Sequence, residues 1–117
     1  AVDANGNDLA TSQPLNITWT PAPAQSGVVI VSGFSYSVPK KMASAFFCYA
    51  DPAAGAFTVP VYVTKAMLAT DNGGNETIPA GGVSVGGASI PSAFDAPGLD
   101  LGVFSVIALD LKATSFQ

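Results

Sequence analysis

Prolines and glycines cut this chain into short β-type runs, and no stretch sustains the helical spacing of apolar residues beyond a turn or two. The fullest example runs from Phe46 to Pro60. An alternating run through Phe46, Phe47, Cys48, Tyr49 and Ala50 leads into Asp51-Pro52-Ala53-Ala54-Gly55, then a second run through Phe57 and Val59 that Pro60 stops. Two such runs around an Asp-Pro and Gly turn read as an antiparallel hairpin. Phe46, Cys48 and Ala50 share one face, and Phe47 and Tyr49 the other. With Cys48 turned inward beside Phe46, Phe47 and Tyr49 point away from the core. Val61 to Leu68 reads as one or two helical turns crossing the end of the fold.

The remaining runs follow the same grammar. Leu15-Asn16-Ile17-Thr18-Trp19-Thr20 alternates cleanly, which predicts a half-buried strand with Leu15, Ile17 and Trp19 in the core. Pro21 and Pro23 end it. Val28 to Val31 is apolar on both faces, as a central strand would be; the signal weakens from Phe34 to Met42, and Lys40-Lys41 mark a solvated loop. Asp71 to Glu76 reads as a turn. Gly81 to Ile90 reads as a Gly-rich strand with Val83 and Val85 on one face and a bulge at Gly86-Gly87. Pro91, Pro97 and Gly98 bound a loop. Val103 to Leu111 reads as the last strand, with Ile107, Leu109 and Leu111 inward and Asp110 and Lys112 outward. Six to seven short strands and no long helix predict an antiparallel β-sandwich. At 117 residues the chain reads as one domain over 1–117, with 1–13 a linker or an edge strand.

Composition narrows the partners. Apolar residues make up 49% of the chain and charged ones only 10%, against about 25% in ordinary domains. That balance suits an extracytoplasmic β-domain, or one whose apolar excess is covered by a neighbouring domain of a longer chain. The net charge is −4, with Lys40, Lys41, Lys65 and Lys112 the only cations. Nucleic acid and anionic membrane surfaces are therefore disfavoured partners. No run reaches the length of a membrane span, and Ala1 opens no signal-peptide pattern; a removed leader and an excised segment both stay open. Cys48 is the sole cysteine and histidine is absent, so an intrachain disulfide and a structural zinc site are excluded on ligand count. Cys48 reads as a buried small hydrophobe rather than a reactive thiol.

The order Trp19-Thr20-Pro21, Phe47-Cys48, Gly55-Ala56-Phe57-Thr58-Val59-Pro60 and Pro97-Gly98-Leu99-Asp100-Leu101-Gly102 resembles bacterial immunoglobulin-like surface-protein domains, of the kind abundant in Acidobacteria and other soil bacteria. The resemblance spans roughly residues 14 to 116. It implies an immunoglobulin-like sandwich on an exported, cell-surface or extracellular protein, and it carries over no functional residues.

Few motifs offer chemistry. Gly82-Val83-Ser84-Val85-Gly86 matches a nucleophile elbow, but that elbow needs a strand-to-helix turn and a histidine base. Ser37-Val38-Pro39-Lys40 matches Ser-x-x-Lys without the helix that motif opens. Asn16-Ile17-Thr18 and Asn75-Glu76-Thr77 fit the glycosylation pattern, which a bacterial chain would ordinarily leave bare. Asp3, Asn5, Asn7 and Asp8 place oxygen ligands in a turn-rich opening; an Asn-Gly turn is the stronger reading, and a weak calcium site completed by Asp71–Glu76 the alternative. Tyr36, Phe47, Tyr49 and Tyr62, with Phe34, form the candidate ligand platform, weighed against plugging the ends and edges of the sandwich. The expected function is a non-catalytic structural or interaction module needing no cofactor: a spacer, stalk or adhesion unit contacting neighbouring domains or another surface protein. The alternative is a carbohydrate-binding module using the exposed aromatics.

Overall fold

The computed structural model describes residues 8–23, 27–75, 77 and 79–117. The strands are β1 (Leu15–Thr18), β2 (Val28–Ser37), β3 (Met42–Ala50), β4 (Ala56–Val59), β5 (Gly81–Ala88), β6 (Ser92–Phe94), β7 (Gly102–Phe104) and β8 (Ile107–Ala113). One short helix, α1 (Val61–Lys65), follows β4. An antiparallel four-stranded sheet in the order β3-β2-β5-β8 is faced by the antiparallel pair β1-β4, and β6-β7 form a separate hairpin. The chain is thus an all-β sandwich. In immunoglobulin terms its four-stranded sheet has the C′-C-F-G order and its small layer the B-E pair. Among the described residues six strands build the two layers of the sandwich, and the β6-β7 hairpin brings the total to eight, one more than the expected six to seven.

The core lies between the two layers. Leu15, Ile17 and Val59 from the small layer meet Val29, Val31, Phe46 and Val83 from the large one. Val31, at the centre of β2, is 0% exposed. Met67, just past α1, and Phe116 close the core. Thr64 is buried with its hydroxyl within 3.0 Å of the Thr11, Gln13 and Val61 carbonyls, so the short helix is held by a side chain rather than by its own length. Leu9 forms an isolated parallel bridge with Phe116, and Leu9 and Thr11 bond the backbone of the chain's last three residues.

The turn at Asp51–Gly55 is the largest departure from the sequence reading. It does not make a hairpin. β3 pairs with β2 and β4 with β1, so the turn carries the chain from one layer to the other. Asp51 Oδ1 accepts from the Ala53 amide at 2.8 Å, a single 3-10 turn spans Pro52–Ala54, and Gly55 exits at φ +70°. That sequence of conformations turns the backbone out of its own sheet. The small layer then captures it: Trp19 N donates to Gly55 O at 3.0 Å, and Ala22 N to Pro52 O at 3.1 Å.

Other expectations need correction. The hairpin is β2-β3, and β2 continues through Phe34 and Tyr36 to Ser37, where the sequence signal had faded. The first strand stops at Thr18, leaving Trp19 half-buried at the core's edge, its Nε1 donating to Pro52 O at 2.9 Å. There is no bulge at Gly86-Gly87; pairing with β2 and β8 runs through unbroken. A Cβ on Gly86 would sit 2.0 Å from Ala108 O, so glycine here permits the close approach of β8. The expected loop around Pro91–Gly98 is part of a hairpin arm, residues 90–106, and the last strand begins at Ile107, not Val103. The overall radius of gyration is 16.8 Å, against about 13 Å for a compact chain of this size.

Candidate functional site

Side chains alternate across a strand, so the pairing register sorts the four-stranded sheet into two faces. The inward positions hold the core residues Val29, Val31, Phe46 and Val83. The outward positions of β2, β3, β5 and β8 contain no Asp, Glu, Lys or Arg at all. One cross-strand row reads Phe47, Ser32, Ser84, Leu111, and the next Tyr49, Ile30, Gly86, Leu109. Large residues therefore form two rims, aromatic on β3 and aliphatic on β8, with Ser32, Ser84 and Gly86 between them beside the half-buried Ile30. Phe47 is 66% exposed, Tyr49 65% and Leu111 60%. Ile107 and Leu109 are similarly open. Between the rims Ser32 Oγ and Ser84 Oγ lie 2.6 Å apart and bond each other.

The β8 faces are the reverse of the sequence expectation. Ile107, Leu109 and Leu111 point outward, while Asp110 and Lys112 turn toward the small layer and line a cleft of about 210 Å³ with Asn16, Ile17 and Thr18. The small layer is only two strands of four residues, and every residue of β8 stays exposed. Asp110 and Lys112 can thus occupy the inner side while in contact with water. These three aliphatic residues are the part of the site that sequence reasoning missed; their alternation with Asp110 and Lys112 was visible, but not which side would be covered.

The predicted ligand platform divides. Tyr36, Phe47 and Tyr49 share the outward face, with Phe34. Phe47 and Tyr49 are two residues apart on β3, about 7 Å along the strand. Tyr36 pairs with Ala43, roughly 13 Å further along, and stands at the end of the face with Phe34 beside a recess of about 460 Å³ also lined by Val38, Pro79 and Ala80. Tyr62 does not join them: it stands 74% exposed on α1, after the small layer. At the opposite end of the sheet, a second recess of about 370 Å³ lies between Trp19, Pro52, Val29 and Val106.

The proposed calcium ligands Asp3, Asn5 and Asn7 lie outside the described residues, as does Glu76. Asp8 accepts from Gln117 Nε2, and Asp71 Oδ1 accepts from the Gly73 amide at 2.9 Å. No group of three or more His, Cys, Asp or Glu side chains converges among the described residues. Ser84 lies within β5, not at an elbow, and Ser37 ends β2 with its Oγ 3.4 Å from the Lys40 amide in the β2-β3 turn. Cys48 faces inward with Phe46, as expected, but it is half-buried rather than buried because β3 is an edge strand. Desolvation by its neighbours pushes its thiol pKa up.

The arm is the second apolar feature. Phe94 and Phe104 rings pack at 6.3 Å between centroids, yet both stay exposed, as do Leu99, Leu101 and Val103. The arm leaves the sheet between the end of β5 and the start of β8, the Ile107 end of the outward face. No protein-family model, curated protein or solved structure matches this chain.

Proposed function

We propose that this chain is a non-catalytic interaction module of an exported bacterial protein, which docks on other protein through the outward face of its four-stranded sheet. One observation carries the reading: a sheet face without a single charge, edged by two rims of large apolar side chains left in solvent. Isolated apolar residues on a surface need no explanation, but a contiguous uncharged face does. Low overall charge and the resemblance to bacterial surface domains support the exported setting.

A second reading, glycan binding, rests on the adjacent open rings of Phe47 and Tyr49. Sugar sites combine such rings with converging polar groups. Here the nearest hydroxyls, Ser32 and Ser84, bond each other, and the opposite rim is aliphatic, which favours protein.

The test uses the isolated chain at high dilution with a fluorescent hydrophobic dye, a glycan array and a hydrolase panel. Dye binding lost in Phe47→Ser and Leu111→Ser, with no glycan retained and no turnover, is the expected result. Glycan retention lost in Tyr49→Ala would promote the second reading. Hydrolysis abolished by Ser84→Ala would overturn both.

A further inference from the structure

We propose that two copies of this chain pack through their outward sheet faces about a two-fold axis running across the strands, each setting its apolar arm against the Phe34–Tyr36 recess of the other. This rests on the interaction-module reading above and names the partner.

Charge comes first. In a two-fold interface every residue near the axis meets its own kind, so a like charge there repels itself. No outward position of the four strands carries a charge, and the charges of β8, Asp110 and Lys112, are both turned to the other side. The alternation of β8 would let its aliphatic residues face inward; they face outward instead. With the axis across the strands, β3 lies over β3 and β8 over β8. The Phe47–Tyr49 rim then meets the same rim reversed, and Leu109 and Leu111 meet aliphatic residues.

The area is sufficient. Aromatic side chains bury roughly 150–250 Å² each, so the exposed fractions of Phe34, Tyr36, Phe47 and Tyr49 leave about 300–500 Å² available. The aliphatic rim adds on the order of 200 Å². Pairing two such faces removes about 1,000–1,400 Å² in total, at or above the roughly 1,000 Å² that marks a specific interface.

The two ends of the face are also complementary. The arm projects from the Ile107 end, bringing Leu99, Leu101 and Phe104 beyond the sheet. The molecule extends 50 Å, whereas the ten residues of β2 span about 33 Å. The recess beside Phe34 and Tyr36 opens at the other end. Reversing the strands of the second copy brings each arm to the other's recess, so one chain supplies both halves of the contact. An unrelated partner would have to supply both.

Sedimentation velocity over a dilution series of the 117-residue chain tests this, with the hydrophobic dye read on the same samples. A species of twice 11.7 kDa is expected in the micromolar range, dissociating on dilution as dye binding appears. Leu111→Asp and Phe47→Asp, both at exposed positions, should abolish it while keeping a cooperative melt; either one suffices if the other fails to fold. Leu101→Asp on the arm should weaken it roughly tenfold or more. A chain monomeric throughout that binds dye, and loses it in the face variants, overturns self-pairing but keeps the interaction-module reading. A monomer that binds no dye overturns both. A dimer indifferent to the face variants, open-ended growth, or a dimer untouched by Leu101→Asp overturns the arrangement proposed here.

Discussion

Replacing Leu111 with threonine separates the face assignment of β8 from the one its alternation predicts. Threonine keeps strand propensity, so the substitution removes apolar contact and little else. Were Leu111 a core residue, truncation would cost about 2–5 kcal/mol. It is 60% exposed, and full burial of a leucine side chain is worth about 1.5–3 kcal/mol, so its share within one chain is about 1 kcal/mol. Val31→Ala is the control. That side chain is fully buried, and losing its methyl groups with partial cavity collapse should cost about 2–3 kcal/mol. For 117 residues each kcal/mol lowers the melting temperature by about 4 °C, giving drops of about 4 °C for Leu111→Thr and 8–12 °C for Val31→Ala. The melts are followed by Trp19 fluorescence at a concentration where sedimentation finds monomer, since association through the face would add stability by mass action. Equal losses for the two variants in monomeric samples would refute the assignment.

Three further outcomes follow from named contacts. Gly86→Ala places a Cβ 2.0 Å from the Ala108 carbonyl and should force β5 from β8, costing about 2–4 kcal/mol; an unchanged melt would mean the strands are not so close. Trp19→Phe keeps an aromatic side chain but removes the bond to Pro52 O together with part of the indole's packing, and should cost about 1–2 kcal/mol by denaturant titration, with no cost expected if Trp19 does not anchor the layer crossing. Cys48 titrates above its ordinary 9.0 in the folded chain, so the unfolded thiol ionises first and stability attributable to it is kept below 9.0 and lost as pH rises through the folded value. A pH series of melts for the chain and Cys48→Ser should therefore converge at alkaline pH, and parallel curves would dispose of the shift.

Much of the local structure was legible. Leu15 and Ile17 alternate with Asn16 and Thr18 and do face the core, and Val83 and Val85 share its side of β5. The division between Cys48 and its neighbours Phe47 and Tyr49 was readable from alternation alone, and so the aromatic rim was too. The short helix at α1 also fell where its spacing placed it. Tyr62 was grouped with the other aromatics by residue type, which carries no information on layer.

Alternation of period two determines that a strand has an apolar and a polar side; it does not determine what lies over either. The Phe46–Pro60 stretch contains two strands and a turn in any arrangement, but whether the turn folds a hairpin or crosses layers depends on partners distant in sequence. Trp19, Ala22 and the pairing of β1 with β4 decided that. In β8 the apolar residues should be covered by rule, and within one chain they are not, because the two short strands of the small layer leave β8 open on both sides. Burial depends on the reach of the opposite layer, a property of the assembled fold, and so only the tertiary structure exposes Ile107, Leu109 and Leu111.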